Sequence, residues 1–167
     1  MKKFDSKSCE EIMTTVYKPI EYVVDGLIAQ GLYILAGAPK VGKSWLALDM
    51  CLSIAKGEKV LGQGTTQGTA LYLCLEDSYV RIQNRLYEIT DEPTERLHFV
   101  IMSESIGSGL EEQIKNFKKE HSDLKVVFID TLQMIRESTD NGYGSDYKEL
   151  SVLKCLADKL EIAIDPV

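Results

Sequence analysis

One short segment constrains the fold of this chain more than any other feature. Residues 37–44 match the pattern GxxxxGK[ST] without a mismatch, and they lie between a strand-like run at 32–36 and a helix-like run that begins at Trp45. A strand, a turn of this pattern and a helix in that order form a phosphate-binding loop, because glycines let the backbone N–H groups surround a polyphosphate. The alternative interpretation is a glycine-rich turn that binds no ligand. The loop and the residue after it are Gly37, Ala38, Pro39, Lys40, Val41, Gly42, Lys43, Ser44 and Trp45.

Two side chains of this loop carry the chemistry that a nucleotide needs. Lys43 supplies a positive charge for the β and γ phosphates, and Ser44 supplies a hydroxyl ligand for Mg²⁺. The positive end of the following helix faces the same anion. Because the sequence shows no NKxD-like guanine signature, it favours ATP with Mg²⁺ over GTP.

The composition is that of one ordinary globular domain. The chain has 167 residues, of which 44% are hydrophobic and 27% charged, which is enough to bury a core without disulfides. Its apolar runs fall far short of the roughly 20 residues that a membrane span requires, and no apolar segment follows the first lysines as in a secretory signal. We therefore expect a cytoplasmic protein that does not contact a membrane. The cysteines lack CxxC spacing and are predicted to be reduced and mostly buried: Cys9, Cys51, Cys74 and Cys155.

The charge argues against one class of partner. A formal net charge of −7 disfavours nucleic-acid binding through the overall field of the protein. A basic cluster at residues 115–121 is typical of a solvated helix face, although a local nucleic-acid patch would have the same composition. His98 and His121 show no partners of a catalytic dyad or metal site, so we interpret both as structural.

Strand-like and helix-like segments alternate along the chain. We predict strands near residues 31–36, 70–75, 97–102, 125–130 and 161–164, helices near 43–56, 78–88 and 146–160, another helix that ends near 120, and a polar loop over 137–145. The run at 70–75 is apolar without alternation, as in parallel strands that are buried on both faces. The predicted fold class is therefore α/β, with a parallel β-sheet flanked by helices. Residues 1–30 are predicted to be an extended lead-in packed on the domain, whose core comprises residues 31–167.

Two predicted strands end in carboxylates suited to ATP hydrolysis, which needs a held metal ion and a group that orients the attacking water. Ligands of parallel α/β sheets collect outside these strand ends. Asp130 fits the metal-side role, usually through a water, although it could instead be a loop or helix-capping aspartate. Glu76 could orient or deprotonate the water. Asp77 follows it, and the sequence does not decide which of the two faces the nucleotide or whether either is only a helix-start carboxylate.

Three segments together resemble a known family. GAPKVGKSWLAL, ALYLCLEDS and VVFIDTL are similar to RecA-like ATPases of the AAA_25/RepA type, a group from phage and plasmid replication that is allied with the hexameric replicative helicases. The resemblance covers about residues 19–164. It implies a RecA-like P-loop NTPase core in which Glu76 is the hydrolytic glutamate, Lys43 and Ser44 contact phosphate and Mg²⁺, and Asp130 is the Walker B aspartate.

The resemblance extends to residues whose roles stay open. Arg81 and Arg85 match the group's pattern on the helix after Glu76, and so does a loop that contains Asn141, Tyr143 and Asp146. The two arginines are either surface salt-bridge partners or contacts to the nucleotide or a subunit interface. Trp45 either lies near the base or packs behind the phosphate loop.

The end of the sequence departs from the group's pattern. By the resemblance, a fifth strand lies between the Walker A and Walker B strands and leads to a polar or histidine-bearing tip. Here residues 161–164 alone are available for that strand, and Pro166 would remove a ladder hydrogen bond if the strand continued. We therefore expect a partial core, incomplete at the C-terminus, from a longer ATPase.

Three functions remain for comparison. The leading hypothesis is an ATPase module of a helicase-like motor in DNA replication or recombination, which in its complete form would assemble as a homo-hexamer around single-stranded DNA. The second is a nucleotide-binding regulator or inactive remnant with little turnover. The third is a small-metabolite kinase, which the Glu76–Asp77 pair disfavours.

Overall fold

The computed structural model describes residues 4–136 and 143–167. Within them, none of the helices is long and apolar enough to cross a bilayer. The polar loop predicted over residues 137–145 lies outside the described residues as far as residue 142, and a helix begins directly after it. The elements in chain order are α1 (Cys9–Thr14), β1 (Tyr22–Val24), β2 (Ile28–Ala29), β3 (Gly31–Leu32), α2 (Lys43–Lys56), β4 (Thr69–Cys74), α3 (Tyr79–Ile89), β5 (Leu97–Val100), α4 (Leu110–Glu120), β6 (Leu124–Asp130), a 3₁₀ turn (Leu132–Ile135), α5 (Tyr143–Leu160) and β7 (Ala163–Pro166).

A five-stranded parallel sheet forms the centre of the fold. Its strand order is β3-β7-β6-β4-β5, and β1 and β2 form a separate antiparallel pair. Every residue of β4 is buried, as its uninterrupted apolar sequence predicts. The predicted fold class, a parallel sheet flanked by helices, is confirmed.

The two faces of the sheet bury separate cores, because successive side chains of a strand point to opposite faces. Ala70 and Tyr72 of β4 pack with α2 on one face, whereas Leu71 and Leu73 pack with α4 and α5 on the other. The result is a three-layer arrangement of helices, sheet and helices. Its largest fully buried side chains are Tyr72, Phe128, Leu48, Ile54, Leu110, Ile114, Leu124, Ile129, Ile135, Leu153, Ile162 and Ile164.

Helix α2 spans the predicted residues, Lys43–Lys56. Eight of its residues are buried, from Ala47 to Ala55, which explains why its apolar positions occupy most of its circumference. The helix ends where Gly57 takes a left-handed conformation, with φ of 75°, and its N–H donates to the Ile54 and Ser53 carbonyls.

Strand β7 occupies the predicted slot between β3 and β6, but it covers Ala163–Pro166 rather than 161–164. Pro166 is tolerated because its carbonyl still accepts from the Leu35 N–H, and the next residue, Val167, donates to the Ile129 carbonyl. Strand β3 is shorter than the predicted 31–36, although the Tyr33 N–H continues the pairing to the Ile164 carbonyl.

The lead-in is more structured than expected. The short helix α1 begins with a capping box, in which Ser8 and Glu11 satisfy each other's backbone N–H groups. None of its residues is buried. By contrast, Val24 and Ile28 of the β1–β2 pair enter the same core as α2. Residues 23–29 are therefore part of the packed unit, and the N-terminal helix is a local feature on its surface.

Candidate functional site

The phosphate loop connects β3 to α2 and lies open to solvent. Gly42 has φ of 99°, a conformation that favours glycine, and it leads the chain into the first turn of the helix at Lys43. The Lys43 Nζ donates to the carbonyl oxygens of Gly37 and Ala38, at 2.9 and 3.0 Å. The ammonium group is thus folded back over the loop that a polyphosphate would enter.

The ends of β4 and β6 place the two candidate carboxylates next to each other. Cys74 is the register partner of Asp130, and the Leu75 N–H donates to the Asp130 carbonyl at 2.9 Å. Just beyond the two strand ends, the Thr131 hydroxyl donates to Glu76 Oε1 at 3.2 Å. Strand pairing therefore positions Glu76 beside the end of β6, although the two lie far apart in the sequence.

The surroundings of Glu76 and Asp77 differ. Asp77 Oδ2 is 2.7 Å from the Arg85 guanidinium, and its side chain is only 9% exposed. Its other oxygen accepts from the Ser78 N–H. Glu76 is exposed, and its carboxylate accepts from the Thr131 hydroxyl through Oε1. Glu76 is thus the carboxylate available for a ligand.

The phosphate loop, the two strand ends and α3 enclose a small polar cavity of about 200 Å³. Its lining brings together Ser44, Cys74, Glu76, Asp77, Arg81, Arg85 and Asp130. A larger groove of about 650 Å³ lies between α3 and β5, but its lining is mostly apolar and contains none of the loop residues. The small polar cavity is therefore the candidate site.

The donors in this cavity fit Mg²⁺ bound together with a nucleotide. Mg²⁺ is usually held by one or two carboxylates with waters and substrate phosphates, and the cavity offers the Ser44 hydroxyl and the Asp130 carboxylate. Among the described residues, no cluster of three histidine, cysteine or acidic side chains could hold a metal by itself. The site suits a cation that arrives with phosphate ligands.

Arg85 links the phosphate-loop helix to the end of β4. Its guanidinium lies 5.7 Å from the centre of the Trp45 ring while it pairs with Asp77. Arg81, one turn earlier on α3, is exposed and lines the cavity without an ion pair among the described residues. The indole ring of Trp45 on α2 is thus in contact with Arg85 of α3.

Sequence reasoning missed Tyr72 and Thr131. Tyr72 is 1% exposed, and its hydroxyl donates to Asp130 Oδ2 at 2.8 Å and also lies 3.2 Å from the Ser44 carbonyl. Burial and the Asp130 carboxylate raise the pKa of Tyr72 far above its ordinary value, so the hydroxyl stays a donor. The sequence did contain a signal for Tyr72, because a tyrosine inside an apolar strand is expected to be buried and a buried hydroxyl usually has a hydrogen-bond partner.

Asp165 and the two histidines are titratable groups that lie outside the cavity lining. Asp165 on β7 is 5% exposed, its Oδ1 has no partner among the described residues, and burial raises its pKa to about 6. The ring centroids of His98 and His121, two residues far apart in the sequence, lie 4.4 Å apart, and burial lowers the pKa of His98.

All four cysteines are free thiols. Cys51 and Cys74 are buried, but Cys9 and Cys155 are exposed, contrary to the prediction that most are buried.

Comparison with known proteins places this geometry in a family. A solved structure described as an ATPase domain matches with a TM-score of 0.63 and 12% identity. The match covers 82% of this chain and 56% of that chain, so this chain spans little more than half of its length. No curated protein matches. The model of AAA_25, described as an AAA domain, matches residues 4–157. With most of its length matched and a RecA-like sheet carrying the phosphate loop, this chain belongs to the AAA_25 family of AAA domains.

Proposed function

We propose that this chain binds ATP with Mg²⁺ and hydrolyses it, as the RecA-like module of a helicase-like ATPase in DNA replication or recombination. The observation that carries the proposal is the cavity lined by Ser44, Glu76 and Asp130 beside the phosphate loop. Strand ends and a loop from three parts of the sequence converge there, as nucleotide hydrolysis requires.

Nucleotide binding uses the loop backbone and Lys43. The Nζ group leaves the carbonyls of Gly37 and Ala38 for the more strongly charged β and γ phosphates, while the first turn of α2 presents its unpaired N–H groups to the same anion. Ser44 and Asp130 would bind the Mg²⁺ ion on their side of the cavity. When bound, Mg²⁺ would neutralise phosphate charge that develops during transfer.

Glu76 orients the attacking water and takes up its proton. Its carboxylate is exposed at the cavity, and the Thr131 hydroxyl holds Oε1, so Oε2 remains for the water. A positioned general base contributes about 10²- to 10⁴-fold in rate. Arg81 is the accessory cation, because Arg85 is occupied by Asp77.

We further propose that the chain acts within a homo-oligomer, which the family resemblance implies is a hexamer in the complete protein, and that single-stranded DNA stimulates turnover. The resemblance to RepA-type ATPases supports both ideas. Because the net charge is −7, any DNA contact is local rather than a property of the whole surface.

The first test compares Mg²⁺-dependent ATP binding and hydrolysis by the purified chain, with and without single-stranded DNA. Lys43→Ala should abolish nucleotide binding, and Glu76→Gln should keep binding while turnover falls about 10²-fold or more. Unchanged turnover in Glu76→Gln would mean that the glutamate has another role. Binding without turnover in the unaltered chain would favour the alternative function, a nucleotide-binding regulator.

A further inference from the structure

We propose that Tyr72 is a positioning residue for the Mg²⁺ side of the site, where its hydroxyl holds one oxygen of Asp130 and ties it to the phosphate-loop helix. This role rests on the proposed function. Tyr72 is not among the residues that line the cavity, so it would act through Asp130 and Ser44, which its hydroxyl contacts.

The ring of Tyr72 is buried between aromatic neighbours. It is 1% exposed in the core between the sheet and α2. The Phe99 and Phe128 rings flank it, with centroid distances of 6.1 and 6.3 Å. Interiors are close-packed, so these neighbours fix the position of the phenol oxygen.

That oxygen is the meeting point of three elements. From β4 it donates to Asp130 Oδ2 of β6 at 2.8 Å and lies 3.2 Å from the Ser44 carbonyl in the first turn of α2. The bond to a carboxylate is charge-assisted and therefore the stronger of the two contacts. The hydroxyl oxygen of Tyr72 thus contacts both proposed metal-side residues, Ser44 and Asp130, and holds them in place relative to each other.

The arrangement divides the two oxygens of Asp130 between different tasks. Oδ2 is taken by Tyr72, and Oδ1 is left for a water bound to the cation. Groups that orient a ligating carboxylate commonly affect metal affinity about 10- to 100-fold. Loss of the hydroxyl would leave the ring packed but would free the carboxylate to rotate.

The experiment uses Tyr72→Phe and the intrinsic fluorescence of Trp45, which is the single tryptophan of the chain and follows Ser44. ADP is titrated into each protein with and without Mg²⁺, and Mg²⁺ is then titrated at fixed ADP. We expect ADP affinity without Mg²⁺ to stay within about twofold, while the Mg²⁺ concentration at half-saturation rises about tenfold.

The matched control is Tyr33→Phe, which removes a hydroxyl that accepts from the Ala29 N–H at 2.9 Å and lies outside the cavity lining. It should leave both titrations unchanged. Equal Mg²⁺ half-saturation in Tyr72→Phe and Tyr33→Phe would show that the Tyr72 hydroxyl is only structural.

Two further outcomes are distinguishable. If Tyr72→Phe unfolds in buffer, all three proteins are titrated in trimethylamine N-oxide, which strengthens burial, and the same comparison decides. If the unaltered chain shows no Mg²⁺-dependent ADP binding, the proposed function fails and this role fails with it. Normal binding by the unaltered chain with no shift in Tyr72→Phe overturns only the role of Tyr72.

Discussion

Replacing Arg85 with alanine should destabilise the fold by about 2–3 kcal/mol. The Arg85–Asp77 pair spans 2.7 Å, with side chains 29% and 9% exposed. Breaking a fully buried pair costs about 3–5 kcal/mol, whereas exposed pairs contribute about 0–1 kcal/mol. This half-buried pair should therefore contribute about 2 kcal/mol, because Asp77 would keep a mostly buried charge. The Trp45 contact at 5.7 Å adds about 0.5 kcal/mol.

The assay is urea denaturation followed by far-ultraviolet circular dichroism, since Arg85 touches the fluorescent Trp45 and would alter its signal. Arg81→Ala is the matched control, because it removes an exposed arginine from the same helix that has no ion pair among the described residues. It should change the free energy of unfolding by less than about 0.5 kcal/mol.

A double-mutant cycle with Asp77→Asn isolates the pair. We expect a coupling energy of about 1–2 kcal/mol, lower than the full loss because the cycle excludes the other contacts of Arg85, such as that with the Trp45 ring. If Arg85→Ala and Arg81→Ala destabilise equally, Arg85 does not link the phosphate-loop helix to the end of β4, and the reasoning is wrong.

Three further substitutions test positions that are buried or closely packed in the fold. The pKa of Asp165 is raised from 3.8 to about 6, so the folded state binds the proton more tightly and stability should fall as pH rises through this window. Asp165→Asn should remove that dependence and gain about 1–3 kcal/mol at pH 8; urea titrations at pH 4 and 8 that show no difference from the unaltered chain would contradict it. Gly68→Ala would place its Cβ 2.4 Å from Lys125 Cγ and 2.5 Å from the Asp123 carbonyl oxygen. Its free energy of unfolding, measured by urea denaturation, should therefore drop by about 1–3 kcal/mol. Phe128→Ala empties a fully buried position and should cost about 3–5 kcal/mol in the same assay; a smaller loss would mean that the core collapses around it.

Most long elements could be predicted because their signals are local. The all-round apolar pattern of α2 and its terminal glycine reproduce the observed bounds, and the uninterrupted apolar runs predict β4 and β6. By contrast, α1 is a helix of six residues, too short for an apolar period to show. The strands β1 and β2 are shorter still, with three and two residues, and their pairing depends on contacts with other parts of the fold.

The candidate site likewise contains residues that could be predicted from the sequence and contacts that could not. The phosphate loop, Glu76 and Asp130 can be recognised because each follows an apolar run and fits a motif. The contacts of Asp77 could not be predicted, since the residue lies next to Glu76 and shares its chemistry. Its pairing with Arg85 is what distinguishes the two, and that pairing depends on how α3 packs.

Local sequence patterns were enough to predict the fold class, the position of the phosphate loop and the order along the chain of the strands that carry the carboxylates, because backbone conformation and burial follow from local composition. Which side chains come into contact could be learned only from the packed fold. Tyr72 and Asp130 lie 58 residues apart, yet their oxygens are 2.8 Å apart. Such a contact requires strand pairing and helix packing to act together, since a hydrogen bond depends on tenths of an ångström that no local pattern encodes.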